Sequence, residues 1–371
     1  MAVHIGIDVR LITDKMSGIG AYAFNLFRYL QRATELKVTF YDDDHFAEVK
    51  DFDRFSRRGW RKMAYIYWLN SRFPKILLEE GVDLLHSPNF VPPLWKGPPS
   101  VVTFHDMGFL RYPHTHHGWY AALFPSLVNA AVQRARRIIT PSHSSRNEII
   151  HFYPRAKNKI RVIYEAAAEN FRLIDNQVEL EQLRVKYNLP HRFILCVGTL
   201  EPRKNLHRFI GAFKIWREKN VQPEVKLVLC GKSWIRHQKF LQFLHSSGAE
   251  ADIILTGYVP ADEIAGIYNL AQALAFPSYY EGFGLPAVEA MNCGLPVMAS
   301  NAFSLPEVLG EAAVYFDPFS QQDMIQAMNL VLNNRDQQIR LKELGLQRGK
   351  MFSWQKTAQM TEEVYLEALN M

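Results

Sequence analysis

The feature that most restricts this chain is an alternation of short apolar runs with longer amphipathic stretches. His4 to Val9 reads as a strand, and Ile19 to Leu30 as a helix with one apolar face. Strand-like runs follow at Leu36 to Tyr41, Val82 to His86, Val101 to His105 and Arg137 to Thr140, separated by helical stretches. The pattern restarts with Phe193 to Val197, Lys226 to Cys230, Ile253 to Thr256, Ala273 to Phe276 and Val297 to Ser300. Such alternation predicts an α/β chain with parallel sheets covered by helices on both faces.

At 371 residues the chain exceeds what one hydrophobic core usually serves. A polar segment with few strand formers, between about Ala168 and Pro190, marks the break. Two Rossmann-like, doubly wound domains facing a central cleft are expected, 1–175 and 176–353. The formal charge of +6 comes mainly from the first half and suggests an anionic partner: nucleotide, nucleic acid or lipid surface. Nucleic acid is the poorer reading, because no helix-turn-helix, zinc or RNA-binding signature accompanies the charge. Three cysteines, Cys196, Cys230 and Cys293, lack metal spacing and form no even disulfide framework. No 18-residue apolar run exists to span a membrane, and Met1 to His4 runs into a strand without a signal peptide. The expected location is cytoplasmic.

Two strings carry chemistry. In Pro277-Ser278-Tyr279-Tyr280-Glu281-Gly282-Phe283-Gly284-Leu285-Pro286-Ala287-Val288-Glu289, a buried strand delivers a glycine loop and then a helix. Pro286 suits the first helical position. Free N–H groups of Gly284, Leu285 and Ala287 would point outward as an anion site requires. Glu281 and Glu289 flank that site and can accept hydrogen bonds from hydroxyls, which suits a phosphate-bearing polyol such as a nucleotide sugar. In Val197-Gly198-Thr199-Leu200-Glu201-Pro202-Arg203-Lys204-Asn205, two adjacent cations precede a helix predicted to open near Asn205, placed for a departing diphosphate. A solvated basic turn is the bland alternative for that string, and an ordinary strand–turn–helix with surface acids for the first.

Glu281 and Glu289, around Gly-Phe-Gly-Leu-Pro, resemble the paired-glutamate motif of family-4 retaining glycosyltransferases of the GT-B fold. The resemblance implies that Glu281 contacts hydroxyls of the transferred sugar, that Glu289 binds the ribose, and that amides around Gly282, Phe283, Gly284 and Leu285 touch sugar and phosphate. It implies that Gly198 and Thr199 belong to the phosphate loop, with Arg203 and Lys204 on the pyrophosphate. Many members have Arg where Thr199 stands, so one phosphate contact is missing or differently supplied. Tyr258 would face the base, and Asn301 to Glu307 would shape the cleft wall. By the same resemblance the C-terminal helix, 354–371, opened by Trp354, packs back on the first domain. No metal or other cofactor is implied, since helix N-termini and the two cations can stabilise the leaving group.

In the first half, Gly18 and Gly20 lie between strand and helix, where the backbone can approach a phosphate. With Ala23 and Asp42 they also fit a loose dinucleotide fingerprint, which keeps an NAD-dependent oxidoreductase as a rival. Against it, Arg10 to Ser17 intervenes between strand and glycines. In the family, such a loop covers the donor phosphates. His105-Asp106 ends a predicted strand, and the resemblance puts His105 beside the transferred sugar. His114, His116 and His117 lack partnering ligands for a metal and read as loop or acceptor-site residues. Gly231-Lys232-Ser233 fails as a phosphate-binding loop, because Lys226 stands where the upstream glycine is required.

Two segments suit an anionic membrane. In 54–75, Arg54, Arg57, Arg58, Arg61 and Lys62 interleave with Phe55, Trp60, Tyr65, Tyr67 and Trp68; 119–137 is apolar first and basic at its end. A helix packed on the sheet with a solvated basic edge is the alternative for both. Within the family, Gly-Thr-Leu-Glu-Pro-Arg-Lys-Asn with Ser-Gly-Ile-Gly resembles bacterial mannosyltransferase-type enzymes of surface-polysaccharide assembly. The expectation is transfer of a hexose, mannose from GDP-mannose first, to a hydroxyl of a glycan or lipid-linked glycan. It would act at the cytoplasmic face of the inner membrane. Another nucleotide sugar as donor, or a non-catalytic nucleotide-sugar-binding protein, are the alternatives.

Overall fold

The computed structural model describes residues 3–9, 18–33, 36–41, 67–113, 118–220, 224–232 and 237–371. It divides into two compact units, Met1–Glu165 with Trp354–Met371, and Ala166–Ser353. The division falls at 165/166 rather than the expected 175/176, because residues 170–174 are tied into the second unit. There Asn170 Nδ2 donates to the Ala261 carbonyl at 2.5 Å, the Ile174 N–H donates to Asn269 Oδ1 at 3.0 Å, and Phe171 packs edge-on to Tyr268.

The first unit carries β1 His4–Asp8, β2 Lys37–Tyr41, β3 Leu84–Ser87, β4 Ser100–Thr103, β5 Arg137–Thr140 and β6 Ile160–Val162. They pair in parallel in the order β2-β1-β3-β4-β5-β6. The second carries β7 Arg192–Val197, β8 Val225–Cys230, β9 Ile253–Gly257, β10 Ala273–Phe276, β11 Val297–Ser300 and β12 Ala313–Phe316, parallel in the order β12-β11-β10-β7-β8-β9. Edge strands β6 and β12 were not expected. Residues of both stand partly exposed, and β6 has only Ile-Arg-Val, too short and too polar to read as an apolar run.

In the second unit, Phe209, Phe213 and Trp216 of the helix Leu206–Asn220 join Leu227 and Leu229 of β8 and Met324 and Met328 of the helix Gln321–Leu332 in one buried cluster. Truncating one of those aromatics to Ala would cost about 3–5 kcal/mol. The last helix, Trp354–Leu369, buries Trp354, Thr357, Ala358, Thr361, Val364, Tyr365 and Ala368. That spacing is one face of a helix, and the face seals the first unit. Thr357 Oγ1 donates to the Tyr164 carbonyl at 2.7 Å, and Tyr365 Oη lies 2.6 Å from His86 Nδ1. Burial, with a smaller push from the His105 charge, holds His86 down at about 3, so it is a neutral core histidine.

Residues 54–66 of the first membrane candidate lie outside the described residues. Of the rest, Tyr67 is exposed but Trp68 is buried, stacked on Phe73 at 4.9 Å. In the second candidate, the cations after the helix Gly118–Arg134 have partners in the protein. Arg134 Nη2 donates to the Gly97 carbonyl at 3.0 Å, Arg136 Nη1 to the Ala368 carbonyl at 2.6 Å, and Arg137 Nε to Glu367 Oε2 at 2.9 Å. Arg136 and Arg137 anchor the last helix, as a packed helix requires. No helix among the described residues is long and apolar enough to cross a membrane.

Candidate functional site

Strand order in the second unit reverses between β7 and β10, neighbours in the sheet though distant in sequence. In open α/β sheets the loops beyond the carboxyl ends at such a point diverge and leave a ligand crevice. Both sequence motifs stand there. After β7 the chain makes a short 3-10 turn, Pro202–Lys204, and Asn205 closes it in the left-handed region at φ +57°. The helix therefore starts at Leu206. Asn is one of the few non-glycine residues that visit that conformation, and its amide holds neighbouring loops together: Nδ2 donates to the carbonyls of Pro277 at 3.2 Å and Pro318 at 2.6 Å.

The two loops are joined by charge. Glu281, 8% exposed, accepts from Lys204 Nζ at 2.7 Å on one oxygen and from Arg203 Nη1 at 2.8 Å on the other. Arg203 Nε also meets Glu201 at 2.6 Å, and Arg203 Nη1 donates to the Tyr280 carbonyl at 3.1 Å. Burial alone would raise the Glu281 carboxyl, but the Arg203 and Lys204 charges outweigh it and hold the group at about 2. It is a carboxylate at neutral pH, with both oxygens occupied by cations. Ser304 fixes this loop from behind, its hydroxyl within 2.8 Å of the Glu281 carbonyl and 3.0 Å of the Phe283 carbonyl. This gives the Asn301 to Glu307 segment a definite role.

Gly284, at φ +108°, leads into the helix Leu285–Asn292, where Pro286 is the second helical residue rather than the first. A Cβ at Gly284 would stand 2.8 Å from Leu305 Cδ2, so only glycine fits. The expected outward N–H of Ala287 is instead spent on the Gly284 carbonyl at 2.9 Å, because the first turn closes tightly. The Leu285 N–H precedes any carbonyl of its own helix. Glu289 accepts from the Tyr268 hydroxyl at 2.7 Å. Burial pushes its carboxyl up to about 7, opposed by that bond. The two glutamates of one motif thus differ: one is a clamped anion, the other titrates near neutrality.

Beside them, Gly198, Gly231 and Gly257 stand at the carboxyl ends of neighbouring strands β7, β8 and β9. At Gly231 a Cβ would come within 1.9 Å of the Gly198 carbonyl, so backbone approaches backbone with no room for a side chain. The sequence reading set Gly231 and Lys232 aside with the failed phosphate-loop pattern. Here Lys232 Nζ lies 5.1 Å over the ring of Tyr258, giving this end of the crevice a cation and an aromatic face. The Thr199 carbonyl accepts from the Glu201 N–H at 2.8 Å, which shapes the turn.

In the first unit, β4 ends at Thr103, so His105 stands two residues beyond the strand that was expected to contain it. Its Nδ1 is 3.0 Å from Glu165 Oε1 and its Nε2 3.0 Å from the Pro88 carbonyl. A carboxylate and a carbonyl only accept hydrogen bonds, so each ring nitrogen faces an acceptor. Tyr22 packs edge-on to the ring at 4.8 Å, and its hydroxyl meets Thr103 Oγ1 at 3.1 Å. Glu165 is buried and was missed: it is a lone carboxylate between Tyr164 and three alanines, after an unpredicted edge strand, with no motif around it. Asp106 Oδ1 accepts from the Gly108 N–H at 2.8 Å, a structural turn. Gly18 and Gly20 lie in the first turn of the helix Gly18–Ala33, not before it. Residues 10–17, Asp42, His114, His116 and His117 lie outside the described residues. Among the described residues no group of three or more His, Cys, Asp and Glu is placed to hold a metal.

A model described as "Glycosyl transferases group 1" matches residues 181–348, and one described as "Glycosyltransferase Family 4" matches 16–167. The serotype-specific mannosyltransferase WbdA of Escherichia coli is 34% identical over 65% of this chain, and the match spans only 30% of that relative's length. The O-antigen chain mannosyltransferase B of Escherichia coli is 29% identical over 94% of this chain and 96% of its own. Among solved structures, the sucrose-phosphate synthase of Thermosynechococcus elongatus shares the fold with a TM-score of 0.77 at 18% identity, over 98% of each chain. The two matched regions, both of glycosyltransferase models, together cover most of the chain, and the chain belongs to the glycosyltransferases with the GT-B fold.

Proposed function

We propose that this protein transfers a hexose, mannose from GDP-mannose first, to a hydroxyl of a glycan or lipid-linked glycan, with retention at the anomeric carbon. The observation that carries the reading is the Glu281 carboxylate bridging Arg203 and Lys204 at the strand-order reversal. Two relatives named as mannosyltransferases of O-antigen chains, one matched over 96% of its length and the other over 69%, support the sugar and the polysaccharide setting. A uridine-linked or other guanosine-linked sugar is the second reading for the donor.

In this reading Arg203 and Lys204 take the diphosphate. Two cations face two carboxylates there, so an incoming diphosphate competes with Glu201 and Glu281 for the guanidinium. The start of the helix Leu285–Asn292 adds positive potential. As the bond from the anomeric carbon to the phosphate oxygen breaks, negative charge grows on the phosphate, where the cations already stand. The acceptor oxygen bonds to the same face of that carbon, and its proton passes to the departing phosphate oxygen. Glu281, held at about 2, has no proton to give. Its part is to fix the two cations and to accept hydrogen bonds from sugar hydroxyls. Glu289 accepts from the ribose. His105, gripped by Glu165, orients the transferred sugar. Peripheral contact with an anionic membrane belongs to the same reading, supported by the exposed Tyr67 and Trp95 and by Lys96 beside Trp95.

A thermal-shift panel with GDP, UDP, ADP, GDP-mannose, UDP-glucose and NAD tests it. A ligand at a hundred times its Kd adds about 2.7 kcal/mol of stability. Stabilisation by GDP and GDP-mannose alone is expected. A response to uridine nucleotides alone would overturn the donor, and a response to NAD alone would overturn transfer.

A further inference from the structure

The stretch that opens the second unit, 170–174, packs back on the elements around Glu289. Asn170 Nδ2 donates to the Ala261 carbonyl, ahead of the helix Ile264–Leu270. On the other side of Phe171, Asn269 of that helix grips the backbone twice. Its Nδ2 donates to the Arg172 carbonyl at 2.9 Å, and its Oδ1 accepts from the Ile174 N–H at 3.0 Å. The same Nδ2 donates to the Ala265 carbonyl at 2.8 Å, which fixes the amide on its own helix. Leu173 lies against the turn that ends the helix Leu285–Asn292, where a Cβ at Gly294 would stand 3.0 Å from its Cδ2. The backbone on both sides of Phe171 is thereby fixed. Its buried ring meets that of Tyr268 at 5.7 Å, with the planes 79° apart.

We infer that Phe171 is a positioning residue of the nucleotide site, holding Tyr268 so that Glu289 keeps one carboxylate oxygen turned to the ribose; this rests on the ribose contact proposed above. Tyr268 is completely buried and donates to Glu289 Oε2 at 2.7 Å. A phenol keeps its O–H in the plane of its ring, so whatever fixes that plane aims the hydrogen. A perpendicular contact between two rings has a preferred geometry and fixes it. The last torsion of a glutamate is broad, and a carboxylate held by nothing turns about it. With Oε2 held by Tyr268, Oε1 faces one direction. Among the described residues Oε1 has no hydrogen-bond partner, and a carboxylate oxygen accepts from hydroxyls. Phe171 touches no part of the nucleotide in this arrangement. It acts through Tyr268, and Asn269 acts through Phe171 by pinning the backbone that carries the ring.

The test titrates wild type, Phe171→Leu and Asn269→Ala with GDP, UDP and the 2′,3′-dideoxy form of each, above neutral pH where the Glu289 carboxylate predominates. Leucine keeps most of the packing volume at 171 without the flat ring, and Asn269→Ala releases the backbone without touching either ring. Wild type is expected to prefer a ribose-bearing nucleotide over its dideoxy form by about tenfold. Both variants should cut that preference about fivefold while binding the dideoxy form as before. A preference kept whole in both variants, with only Tm lowered, overturns the positioning role and leaves the ribose contact standing. No preference in wild type overturns the ribose contact and the positioning role together. Binding of neither nucleotide by wild type overturns the transferase reading as well.

Discussion

The second unit gathers its charged groups from two neighbouring loops, whereas the first assembles its polar centre from scattered positions. Glu201, Arg203 and Lys204 follow β7 and Glu281 follows β10, and adjacency of those strands makes the cluster. Around His105 the partners are Tyr22 on a helix, the Pro88 carbonyl after β3 and Glu165 after β6. In the proposed reaction the second unit's compensated ions stand where charge must be stabilised, and the first unit's fixed ring would position the substrate.

This contrast can be broken by substitution. Lys204→Ala should lower turnover by about a hundredfold or more, with a smaller loss of stability because Glu281 keeps Arg203. Unchanged kcat with a lowered Tm would make the cluster structural. Glu165→Gln should lower kcat by about tenfold, the worth of one charge-assisted hydrogen bond, while leaving nucleotide affinity alone. If Glu165→Gln acts only on Tm, His105 has no orienting role. Tyr268→Phe should weaken nucleotide binding about fivefold by freeing Glu289, and an unchanged Kd would count against the ribose contact.

The two glutamates sharpen the comparison through pH. Glu289 lies at about 7 in the fold against an ordinary 4.5. The folded chain therefore keeps a proton that the unfolded chain has lost, and its contribution to stability falls as pH rises from 4.5 to about 7. Nucleotide affinity should run the other way, rising over the upper part of that window as the carboxylate forms, with Glu289→Gln flat. Glu281, at about 2, stabilises the fold at all pH values above the ordinary carboxylate range and loses that contribution only as pH falls towards 2. A titration of nucleotide Kd from pH 5.5 to 8.5 separates the two.

Most of the architecture was legible because strands buried on both faces are apolar runs of Val, Ile, Leu, Ala and Phe. Of the four edge strands, β2 and β9 were legible but β6 and β12 were not, since an edge is only half covered and its sequence need not be apolar. Glu281, Glu289, Arg203 and Lys204 were legible because the loops at one strand-order reversal are short and each carries its groups in one string. Glu165 and Tyr268 were not, since each is a lone polar residue whose partner is distant in sequence, 60 residues away for His105 and 21 for Glu289. Gly231 was read and dismissed, because the crowding that demands a glycine comes from Gly198 on another strand. The helix opens near Asn205 as expected, at Leu206, just past the left-handed turn at Asn205.

The central claim is that Arg203 and Lys204 receive a diphosphate. Calorimetric titration of wild type and Lys204→Ala, with the mono- and diphosphate of whichever nucleoside stabilises the protein, tests it most directly. The account predicts that wild type prefers the diphosphate by about tenfold or more, and that Lys204→Ala loses most of that preference while binding the monophosphate as before. A preference that survives the substitution, or none in wild type, would contradict it.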